Sequence, residues 1–117
     1  MLLFIGFIES GALERRVRQQ LTDTFGCSAT HCAGCTTELR RLCAAHPDVY
    51  AIITDLPSGK PLTSRYDEIR ASAGDHPRIV IINNATANVI VPSGERTFTI
   101  VPEAQLESTL RKMLRNR

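Results

Sequence analysis

Short apolar runs alternate along the chain with stretches in which apolar residues recur at helical spacing. Leu2 to Ile8 is almost continuously apolar, the pattern of a central strand buried on both faces. Glu9-Ser10 then supplies a helix start, after which Leu13, Val17 and Leu21 recur every four residues. Arg15, Arg16, Arg18 and Gln19 fall on the opposite side, so an amphipathic helix is predicted, closed by Phe25-Gly26. Cys27 to His31 predicts a short strand. Thr36 or Thr37 caps the next helix, with Glu38 favourable in its first turn. Leu39, Leu42, Cys43 and His46 share one of its faces, and Pro47-Asp48 ends it.

Val49 to Thr54 reads as a second interior strand, running into the turn formers Asp55-Leu56-Pro57-Ser58-Gly59. Leu62, Tyr66, Ile69 and Ala73 predict a third helix stopped by Gly74, and Arg78 to Ile82 a buried strand ending at Asn83-Asn84. Asn88 to Val91, the turn at Pro92-Ser93-Gly94 and Thr97 to Val101 form either a hairpin or a short connection followed by one strand. Pro102 opens a last helix with Leu106, Leu110, Met113 and Leu114 on one face. Arg111, Lys112 and Arg115 stand near its end, where the helix dipole favours cations. The order is βα repeated five times with an irregular fourth unit, so an α/β fold with a mainly parallel sheet covered on both faces is predicted.

The length of 117 residues fits one domain, and 43% hydrophobic with 22% charged residues excludes a disordered tail. The net charge of +2, from 14 basic and 12 acidic residues, gives no electrostatic footprint for nucleic acid. With 5% aromatics and no Trp, the core is built from Leu, Ile, Val and Ala, and stacking platforms for single strands are not expected. No run approaches the roughly 18 apolar residues of a membrane span. The opening residues lack a basic region and a cleavage site, so the cytoplasm is the expected compartment and no membrane partner is expected.

Ligands of a doubly wound sheet sit at the carboxyl ends of its strands. The residues there are Gly6, Phe7 and Glu9 after the first strand, Asp55 after the third, Asn83 and Asn84 after the fourth, and Val101 and Pro102 after the last. The stretch Phe25-Gly26-Cys27 through His46-Pro47-Asp48-Val49-Tyr50-Ala51-Ile52-Ile53-Thr54-Asp55-Leu56-Pro57, with Thr99-Ile100-Val101-Pro102-Glu103 before the last helix, resembles the receiver domain of two-component response regulators. The resemblance covers essentially the whole chain. It implies a flavodoxin-like, doubly wound sheet of five strands, with Asp55 at the phosphoacceptor position.

It also implies a degenerate site. The acidic pair that holds Mg²⁺ in that family falls at Gly6 and Phe7, which offer no oxygen side chain. The hydroxyl position falls at Asn83 and the lysine position at Val101. The charges that stabilise a transferring phosphoryl group are then missing. The resemblance thus points to a pseudo-receiver that is not phosphorylated at Asp55 and is not an enzyme. It would act by binding a protein partner or an output domain, with homodimerisation through its second half, in bacterial signalling or transcription control. No cofactor, metal or direct nucleic-acid contact is expected. Asp55 is otherwise a polar residue capping its own turn.

The cysteines carry the rival reading. Cys32-Ala33-Gly34-Cys35 stands at a helix start, where the dipole favours a thiolate, as in thioredoxin-like oxidoreductases with Cys32 attacking and Cys35 resolving. His76-Pro77 then mimics their proline before a strand, and Arg78 to Val91 their following hairpin. Cys27, His31, Cys32 and Cys35 suit zinc by donor type, and Cys27, Cys32 and Cys35 have an iron–sulfur-like spacing, whereas Cys43 reads as core. His31, His46 and His76 lack the partners of a hydrolase triad. Arg40 and Arg41, with the arginines of the first and last helices, read as solvated surface.

Overall fold

A computed structural model describes residues 4–26, 29–31, 36–56, 62–74, 76–83 and 98–115. The elements follow the predicted alternation: β1 (Phe4–Phe7), α1 (Gly11–Phe25), β2 (Ala29–His31), α2 (Thr36–Ala45), β3 (Ala51–Asp55), α3 (Leu62–Ala73), β4 (Arg78–Ile82), β5 (Thr99–Val101) and α4 (Leu106–Arg115). A 3-10 turn over Glu103–Gln105 leads into α4, so Pro102 opens a tight turn and not the α-helix itself. The segment expected to hold the hairpin or the fourth crossover, 84–97, lies outside the described residues, as do Cys27, Cys32 and Cys35.

Every strand pair is parallel, and the order across the sheet is β2-β1-β3-β4-β5. Strand alternation divides the core into two layers. Phe4, Ile8, Ala51, Ile53, Val80, Ile82 and Val101 face α1 and α4, packing on Leu13, Val17, Leu21, Leu106 and Leu110. Ile5, Phe7, Ile52, Ile79 and Ile81 face α2 and α3, packing on Leu39, Tyr66 and Ile69. The chain is therefore α/β with helices on both sides of a parallel sheet, which is why β1, β3 and β4 read as unbroken apolar runs.

The helix ends follow their local chemistry. Ser10 caps α1, its Oγ accepting from the Leu13 N–H at 3.4 Å. Gly26 ends the helix at φ 80°, a left-handed conformation that costs glycine little. Other boundaries also differ from expectation. Glu9 lies outside α1, ahead of the Ser10 cap, and Asp55 is the last residue of β3. His46 follows α2, its N–H still donating to the Leu42 carbonyl at 2.9 Å.

Candidate functional site

The carboxyl edge of β1 and β3 carries the most concentrated polar chemistry among the described residues. Its centre is Arg65, a fully buried guanidinium on α3. A buried cation is stable only where its donors and its charge are both met. Arg65 Nη2 donates to Asp55 Oδ1 at 2.9 Å and to the Phe7 carbonyl at 3.0 Å. Its Nη1 donates to Glu68 Oε1 at 3.1 Å and to Glu9 Oε1 at 3.3 Å. Its Nε donates to Thr54 Oγ1 at 2.8 Å and to the Asp55 carbonyl at 3.3 Å. The guanidinium carbon also stands 4.3 Å from the centre of the Phe7 ring.

Asp55 is held from the opposite side by backbone. The Glu9 N–H donates to Oδ1 at 3.3 Å and Oδ2 at 3.2 Å, and the Ser10 N–H donates to Oδ2 at 3.2 Å. Both carboxylate oxygens therefore have donors, and the residue as a whole is buried. Through these contacts Asp55 ties β3 to the entrance of α1; the turn that the sequence has it capping lies outside the described residues. The three carboxylates differ in setting, because the Asp55 side chain is 11% exposed against 46% for Glu9 and 31% for Glu68. Asp55–Arg65 is the buried pair, and the two glutamates screen its outer side.

Of the other positions singled out from the sequence, Phe7 joins this cluster through its carbonyl and its ring. Gly6 pairs with Ile53 and Phe7 with Thr54, inside the strand, and it is Glu9 and Ser10 that reach the carboxylate of Asp55. Asn83 follows β4 and donates its N–H to the Val101 carbonyl at 2.9 Å. Val101 is 4% exposed within the α1/α4 layer. Cys43 packs beside the α2/α3 layer, and burial raises its thiol pKa above the ordinary value. Among the described residues, no group of three or more His, Cys, Asp and Glu is arranged to hold a metal. No described helix is long and apolar enough to cross a membrane.

Arg65 is the residue that sequence reasoning missed, although its signal was present. It lies three residues after Leu62 and four before Ile69, inside the apolar stripe of α3, where a charged side chain must find buried partners. No family model matches the chain, and neither a curated protein nor a solved structure matches it at a significant level.

Proposed function

We propose that this chain is a pseudo-receiver: a flavodoxin-like, non-catalytic interaction or dimerisation module of bacterial signalling or transcription regulation. It works in the cytoplasm without being phosphorylated, by docking a protein partner or an output domain. The strand order β2-β1-β3-β4-β5 supports this reading, being the order of the doubly wound class in which receivers fall. The observation that carries it is the state of Asp55. Attack on a phosphoryl group requires a free carboxylate oxygen and positive charge on the phosphoryl oxygens. Here the carboxylate is engaged by Arg65 and by two backbone N–H groups, and that guanidinium is itself shared among three carboxylates.

Val101 is apolar, and Phe7 lends Arg65 only its carbonyl and ring face. The thiol-oxidoreductase alternative gains no support from β4. Both of its edges are taken by parallel neighbours, so the antiparallel hairpin expected from Arg78 onward has no place on that strand. Intact-mass measurement after acetyl phosphate and Mg²⁺ tests the proposal. The expected spectrum shows no phosphoryl adduct, whereas an adduct that disappears in Asp55→Asn would overturn it. Rapid, selective alkylation at Cys32 under neutral conditions would instead favour the redox reading.

A further inference from the structure

Two open cavities outside the Asp55–Arg65 cluster differ in charge. The larger, about 530 Å³, runs along α1 and has Asp23 and Glu107 in its walls; its Arg16 is already bonded to Glu103 at 2.8 Å. Its charges are balanced internally. The smaller, about 380 Å³, opens between β5 and α4. Met113 supplies apolar surface beside the buried Val101, Thr99 and Thr109 supply hydroxyls, and Arg78 and Lys112 supply two cations. No acidic residue among the described residues lines it.

We propose that this groove docks an acidic segment of a partner protein, seating an aliphatic side chain on Met113 with carboxylates beside Arg78 and Lys112. The inference rests on the interaction-module reading and gives its partner a chemistry. Charge complementarity is the argument. Among the described residues Lys112 has no ion pair and Arg78 has no carboxylate bound to it; the Arg78 guanidinium lies 5.4 Å from the centre of the Tyr50 ring. Exposed cations without acidic neighbours steer and select an anionic partner more than they add raw affinity. The groove is at the small end of binding pockets, which suits one or two inserted side chains. Its walls are fixed beforehand. Tyr50 Oη donates to the Met113 carbonyl at 2.9 Å, and β5 is held in register by β4. Little ordering entropy is then lost on docking.

The test uses the full chain, isotope-labelled at its methionine and valine methyl groups, titrated with a short capped peptide alternating Glu and Leu. The matching Lys and Leu peptide is the control. The Met113 and Val101 methyl signals should move with the acidic peptide alone, and its binding should weaken as salt rises. Arg78→Glu with Lys112→Glu should weaken it by about tenfold. Equal binding of the two peptides, unmoved methyl signals at the highest peptide concentration, or undiminished binding by the double variant would overturn the proposal. If the double variant does not fold, Lys112→Glu alone, at an exposed helical position, should still weaken binding by about threefold. A phosphoryl adduct at Asp55 would refute the wider functional reading and leave the groove result standing, so the two failures are distinguishable.

Discussion

Replacing Arg65 with Met keeps most of the side-chain volume and removes the charge and every donor. The glutamates lose little, because Glu9 and Glu68 are 46% and 31% exposed and turn to water. Asp55 cannot do so, since its side chain is 11% exposed and its position is fixed by β3. Breaking a buried pair from one side costs about 3–5 kcal/mol, and the two backbone donors retained by Asp55 place this case near about 3 kcal/mol. Asp55→Asn leaves Arg65 with Glu9, Glu68, Thr54 and the Phe7 carbonyl, so its cost should be smaller, about 1–2 kcal/mol. The double variant removes both charges together and should cost less than the sum by about 1 kcal/mol or more. Urea unfolding at neutral pH measures all three. In a thermal scan of a 117-residue chain, the Arg65→Met loss corresponds to a fall in Tm of about 12 °C. A loss below about 1 kcal/mol for Arg65→Met, or strict additivity in the cycle, would show that Asp55 and Arg65 do not form a coupled buried pair.

Leu110→Ala, at a fully buried position in the α1/α4 layer, should cost about 2–5 kcal/mol by urea unfolding. Gly26→Ala should cost about 1 kcal/mol from backbone conformation alone, since φ is 80° and a Cβ there would meet nothing within 4 Å. Tyr50→Phe should cost about 1 kcal/mol by leaving the Met113 carbonyl without its donor, a loss readable in the same assay. Cys43 should alkylate more slowly than a free thiol at neutral pH, its rate still climbing above the usual thiol range. The sign follows from burial raising the folded-state pKa. The stability linked to its protonated form is intact below the unfolded value and is lost as pH rises through the folded one.

The two core layers were legible because parallel strands buried on both faces leave unbroken apolar runs, as Ile52-Ile53 and Ile79-Val80-Ile81-Ile82 do. The helices were legible from spacing, with Leu13, Val17 and Leu21 turned inward as their period requires. The polar site was legible only in part. Asp55 stood out by its place after an apolar run, but its partners come from α3 and from the backbone ahead of α1, which are distant in sequence. A backbone N–H leaves no mark in a sequence, so the hold of Glu9 and Ser10 on Asp55 could not be read from residue types. Arg65 could have been. A single arginine inside the stripe of Tyr66 and Ile69 breaks the helical pattern at one position, and such a break is tolerated only where buried acceptors await it. That position faces Thr54 and Asp55 at the end of β3, so the break in α3 and the acid after the apolar run are two halves of one feature. The same pairing explains how a carboxylate is accommodated at a nearly buried strand end.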